Sequence, residues 1–150
     1  MSDIFVSHRR GRPSPGGARR LADDLARRLG AERVHWDDAD PATARFEQTV
    51  EAAARRCRAM VALVDRRWIA RAHGLDDADD WVRRELGIAF ERKIPVVPVL
   101  AEGVTLEELL EVPLSAPLDA LPVQPPFTLG AETREADLAR LVRHLEEVSR

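Results

Sequence analysis

The sequence predicts an α/β domain, an open parallel sheet with helices on both faces. Two observations predict it. Short apolar runs of the kind found in buried strands alternate along the chain with stretches whose apolar residues recur at helical spacing. The clearest strand-like runs, Ile4-Phe5-Val6 and Met60 to Val64, are continuously apolar, as strands covered on both faces require. With 150 residues, the chain reads as one domain over residues 1–150, long enough to bury roughly 68–70% of its unfolded surface.

Each element follows from its local pattern. Ile4-Phe5-Val6 is the first strand. Leu21, Leu25 and Leu29 set a helix over Gly17–Leu29, stopped by Gly30. Val34-His35-Trp36 is a weaker second strand, ending in the loop Asp37-Asp38-Ala39-Asp40-Pro41. Phe46, Val50, Ala53 and Cys57 mark one helix face, and Met60 to Val64 is a clear third strand. Asp65 to Asp80 reads as a long irregular connection. Trp81 to Glu91 reads as a helix capped by Asp79 or Asp80. Ile94 to Leu100 is a fourth strand, in which Pro95 and Pro98 suggest irregular pairing. From Val104 to Phe127 the chain is rich in proline, with a last short strand expected near Leu118–Leu121 or Val123–Phe127. Leu138, Leu141, Val142, Leu145 and Val148 define an amphipathic terminal helix.

Composition excludes several classes. Only 8 glycines and 10 prolines are present, an ordinary share that argues against collagen-like or low-complexity sequence. No apolar stretch is long and uncharged enough for a transmembrane helix. Met1-Ser2-Asp3-Ile4 lacks the basic start of a signal peptide. The single cysteine, Cys57, makes neither an internal disulfide nor a thiolate metal cluster, so a reducing cytoplasm is expected. The net charge of -3 argues against general nucleic-acid binding. Charge is nonetheless uneven: Arg9, Arg10, Arg12, Arg19 and Arg20 make one end basic, and Asp76, Asp77, Asp79 and Asp80 form an acidic run.

Familiar α/β chemistries lack their residues. There is no G-x-G-x-x-G after the first strand, no P-loop and no G-x-S-x-G elbow. The histidines His8, His35, His73 and His144 show no metal-ligand spacing, so no metal is expected. Asp65 does end the third strand, where a phosphoacceptor aspartate would stand. Ser7-His8-Arg9-Arg10 replaces the acidic pair that would hold its divalent ion, however.

In open parallel sheets, ligands bind beyond the carboxyl ends of the strands. Ser7, His8, Arg9 and Arg10 follow the first strand there, Asp37 and Asp38 the second, and Asp65, Arg66 and Trp68 the third. Trp81 and Glu85, four apart, share one helix face near the same edge. Arginines suit phosphate groups, and tryptophans suit planar rings. The plainer reading makes Trp81 a core aromatic and Glu85 a surface partner of Arg83 or Arg84.

Four segments in order resemble one family. "DIFVSHRR" at Asp3–Arg10, "VHWDD" at Val34–Asp38, "RCRAMVALVDRRWIA" at Arg56–Ala70 and "DDWVRRELGIAFERKIPVVPVL" at Asp79–Leu100 resemble a Toll/interleukin-1 receptor (TIR) domain of bacterial type. The resemblance is weakest over Ala101–Glu132. It implies a flavodoxin-like fold of strand order 2-1-3-4-5. It also implies either NAD+ glycohydrolase or ADP-ribosyl cyclase activity in bacterial immune signalling, such as antiphage defence, or a non-catalytic self-association module. NAD+ would be the substrate, with no cofactor besides, and like domains the partners. Glu85 would be the catalytic glutamate and Trp81 its motif tryptophan. Arg9 and Arg10 would be the arginine pair and Phe46 the aromatic after the BB loop. His8 stands where the family usually has tyrosine, and Pro41-Ala42 where Pro-Gly is common.

The chemistry so implied needs one carboxylate. Nicotinamide leaves NAD+ as a neutral base, so no general acid is required. The developing sugar cation resembles that of glycoside hydrolysis, and a carboxylate beside it steadies the charge. Glu85 is the expected carboxylate, facing a cleft beside Arg9 or Arg10. One of these arginines would bind the pyrophosphate, and Trp81 or Trp68 would stack on a ring.

Overall fold

The structure is a computed structural model that describes residues 3–9, 17–36, 50–76 and 80–150. Its strands are β1 (Ile4–Ser7), β2 (Val34–His35), β3 (Ala59–Val64), β4 (Val96–Leu100) and β5 (Phe127–Thr128). Its α-helices are α1 (Gly17–Leu29), α2 (Glu51–Arg56), α3 (Arg66–Ala70), α4 (Trp81–Glu91), α5 (Leu106–Leu110) and α6 (Arg134–Val148). The five strands form one sheet in the order β2-β1-β3-β4-β5, and every pair is parallel. This is the flavodoxin-like order that the resemblance implies.

Side-chain alternation divides the sheet into two faces. Phe5, Met60, Ala62, Val64, Val96 and Leu100 point to one face, and α2, α3, α4 and α5 cover it with Ala54, Trp68, Val82, Leu86 and Leu109. Ile4, Val6, Val61, Leu63, Val97 and Val99 point to the other, where α1 and α6 bring Leu21, Leu25, Leu138, Leu141 and Leu145. Arg134 on α6 also donates to Asp24 on α1 at 2.8 Å. Gly30 ends α1 with a φ of 108°, a left-handed conformation that favours glycine.

Pro98 does not disturb the pairing. It stands opposite Ala62 in an unbroken register from Met60↔Val96 to Val64↔Leu100. Met60 N donates to Pro95 O at 2.8 Å and Ala101 N to Val64 O at 3.0 Å, whereas Leu129 N donates to Leu100 O at 3.0 Å. Odd-numbered residues of β4 therefore turn their backbone to β3, and even-numbered ones to β5. The missing N–H of Pro98 falls on the β5 side, ahead of Val99 where that pairing begins.

The sequence misjudged other stretches. Ile94 and Pro95 precede β4, and the last strand is Phe127–Thr128, while Leu118–Val123 is a 3-10 turn. The connection after Asp65 is ordered as α3 and a second 3-10 turn, Ala72–Asp76. Asp65 caps α3 by accepting from Trp68 N at 2.8 Å. In the proline-rich stretch, α5 starts with a reciprocal capping box between Thr105 and Glu108. The helix expected from Phe46 is described from Glu51 onward, and Phe46 itself lies outside the described residues.

Candidate active site

The site forms where β1 leaves the sheet and α4 begins. Alternation along β1 puts Phe5 on the α4 side, and two residues on, Ser7 follows it. In α4, the core-facing residues are Val82, Leu86 and Ala89. Glu85 lies beside Leu86 on the inner side and is 0% exposed. Ser7 Oγ donates a hydrogen bond to Glu85 Oε1 at 2.8 Å. A carboxylate withdrawn from water costs free energy unless donors replace the lost hydration, and the Ser7 hydroxyl is one such donor.

Two residues past Ser7, Arg9 makes an ion pair with Asp80, and the side chains are 10% and 11% exposed. The same guanidinium donates to the Arg71 carbonyl at 3.4 Å. Asp80 is the N-cap of α4, its Oδ1 accepting from Arg83 N at 3.0 Å. One carboxylate thus starts the helix of Glu85 and holds the arginine that follows β1.

The expected site residues are only partly brought together. Ser7, Arg9, Trp81 and Glu85 share the junction of β1 and α4. Trp81, partly buried, packs on the core beside it, and the four-residue spacing puts it on the same helix face as Glu85. Glu85 is enclosed, where an open cleft was expected, and Arg9 turns its guanidinium to Asp80. Trp68 is 0% exposed and sits inside the core. No face of its ring is open to stack on a ligand here, which corrects that expectation. His8 points the other way, stacking on Trp36 with ring centroids 5.9 Å apart. Trp36 packs against the α1 and α6 side, so the His8 ring lies toward that side. Arg10, Phe46, Asp37 and Asp38 lie outside the described residues.

The sequence reading missed the second role of Asp80. A signal was present in the sequence: Arg9 opens a basic run after β1, and Asp80 closes an acidic run just before α4.

The model of the TIR domain family matches residues 4–142. The chain belongs to the TIR domain family. No curated protein matches the sequence. Among solved structures, this TIR domain is similar to a metazoan TIR-STING receptor from C. gigas, determined in complex with 2',3'-cGAMP. The TM-score is 0.64 at 16% identity, over 97% of this chain and 39% of that one. The likeness is one of fold, and the TIR domain spans about two fifths of that receptor's length. Among the described residues, no helix is long and apolar enough to cross a membrane.

Proposed function

We propose that this TIR domain cleaves the nicotinamide–ribose bond of NAD+, with Glu85 as the carboxylate that steadies the sugar cation. The observation that carries this reading is the enclosed Glu85 side chain, held by Ser7 at 2.8 Å at the carboxyl edge of β1. A carboxylate surrounded by protein stabilises a nearby cation far more than one in water does. In the proposed step the C1'–N bond breaks, and its electron pair passes to the pyridinium nitrogen, which leaves as neutral nicotinamide. The ribose C1' becomes electron-poor beside the Glu85 carboxylate. Water then attacks C1' and loses a proton, giving ADP-ribose. Attack by an adenine nitrogen instead closes a cyclic ADP-ribose.

Trp81, partly buried one turn before Glu85, is the ring assigned to the substrate, and Arg10 is the arginine assigned to the pyrophosphate. Glu85 has no exposed surface, so the groups above it move aside before ribose reaches it. Homotypic assembly is the proposed trigger. The proposed setting is cytoplasmic immune signalling of the antiphage type. The TIR-STING neighbour, a receptor solved with a cyclic dinucleotide, supports a signalling setting.

A second reading, a self-association module without catalysis, is favoured by the pairing of Arg9 with Asp80. Incubation of concentrated protein with NAD+, followed by chromatography for nicotinamide, separates the two. Release that grows faster than linearly with protein concentration supports the enzyme. Self-association by light scattering with no release at any concentration supports the module.

A further inference from the structure

We infer that Arg9 and Asp80 act as a positioning pair for Glu85, and that Arg9 is not a phosphate ligand of the site; the inference builds on the proposed use of Glu85 as the working carboxylate. The chain after β1 meets α4 at two points, Ser7 to Glu85 and Arg9 to Asp80. Two residues of extended chain reach roughly 6.6 Å, and the five residues from Asp80 to Glu85 rise roughly 7.5 Å along a helix. The two spans are comparable, so both contacts can tie the chain leaving β1 to the first turns of α4. A third point, the Arg71 carbonyl at 3.4 Å, ties the same guanidinium to the segment after α3.

The pair is also nearly dry. Both side chains are about nine-tenths covered, and separating such a pair leaves a charge withdrawn from water without its counter-ion. Two arms of the Arg9 guanidinium are thus engaged, Nη1 by Asp80 and Nη2 by the Arg71 carbonyl, and a pyrophosphate taking the Nη1 arm would have to displace Asp80, which simultaneously caps α4. The arrangement holds α4, and with it the Glu85 carboxylate, at a set height against Ser7. Displacing a reacting group by about 1 Å is enough to lower turnover by about 10²-fold.

Asp80→Asn and Arg9→Lys test the pair. Asparagine caps helices as well as aspartate does, so Asp80→Asn removes the ion pair while keeping the start of α4. Each variant is assayed with NAD+, and the carboxyl ¹³C resonance of Glu85 is recorded by NMR without substrate. The expected result is a Glu85 resonance that moves in both variants, with kcat lowered about 10²-fold and KM unchanged. The double variant should be no worse than the weaker single, since both break one contact. A Glu85 resonance unmoved in Asp80→Asn overturns the pairing whatever the activity. A raised KM in Arg9→Lys alone, with normal Asp80→Asn, overturns it in favour of phosphate binding. A moved resonance in a protein that never releases nicotinamide sustains the pair and sinks the proposed enzyme. Should Arg9→Lys fail to fold, the Asp80→Asn measurements decide alone.

Discussion

Ser7 and Glu85 stand 78 positions apart in sequence and are joined by a buried hydrogen bond of 2.8 Å. One is the last residue of the first strand and the other lies one turn into α4. The parallel sheet makes this meeting possible: strand alternation turns Ser7 to the α4 side, and the apolar stripe of α4 sets the depth of Glu85.

Ser7→Ala removes one donor from an enclosed carboxylate. The expected loss of stability is about 1–3 kcal/mol, read from the urea midpoint, together with slower nicotinamide release. A variant with unchanged stability and turnover would show that the hydroxyl contributes nothing to holding Glu85.

Trp68 behaves as a core residue. Trp68→Ala is expected to cost about 3–5 kcal/mol. The milder Trp68→Phe should lower the thermal midpoint while leaving KM for NAD+ unchanged. A raised KM in Trp68→Phe, with the midpoint intact, would return this ring to the substrate.

How far the sequence was legible follows from the range of each interaction. The fold class, α1, α4 and a cap at Asp79 or Asp80 were readable because apolar period and capping are local signals, and the structure settles the cap on Asp80. The capping box of α5 was readable in the same way, as Thr105 and Glu108 three apart, but the prolines around it hid it. Pro98 misled because its cost depends on which neighbour its nitrogen faces, a property of sheet order. Glu85 and Trp81 were singled out by spacing and family resemblance. The burial of Trp68, the turn of His8 onto Trp36 and the commitment of Arg9 to Asp80 depend on contacts between distant segments, and no local pattern encodes them.

Cys57 is expected to be chemically inert. It is buried, and its thiol donates to the Ala54 carbonyl at 3.2 Å. Burial pushes its pKa up to about 12. At pH 8 the thiolate is then roughly one part in ten thousand, and the thiolate is the form that alkylating reagents attack. Iodoacetamide should label the native protein very slowly and the urea-unfolded chain fully. Rapid native labelling would show that the α2–β3 junction opens readily.

Acid should remove one surface contribution at a definite place. The Arg66 guanidinium, hydrogen-bonded to Glu108, together with the Thr105 amide, lowers the Glu108 pKa from 4.5 to about 2. A carboxyl whose folded value is depressed stabilises the fold above its unfolded value, and the gain fades as pH falls through the folded one. Glu108→Gln keeps the capping box but loses the charge. The stability gap between wild type and this variant should therefore close between about pH 4.5 and 2. A gap that persists unchanged at pH 2 would assign it to something other than the ion pair.

Glu85→Gln tests the central claim most directly, because it keeps the size of the side chain and removes its negative charge. Nicotinamide release from NAD+ is measured for wild type and variant at equal concentration, with circular dichroism confirming equal folding. The expected result is a fall of about 10²–10³-fold or more, the scale of losing an electrostatic group at a reacting centre. Release at the wild-type rate from a folded Glu85→Gln protein would contradict it.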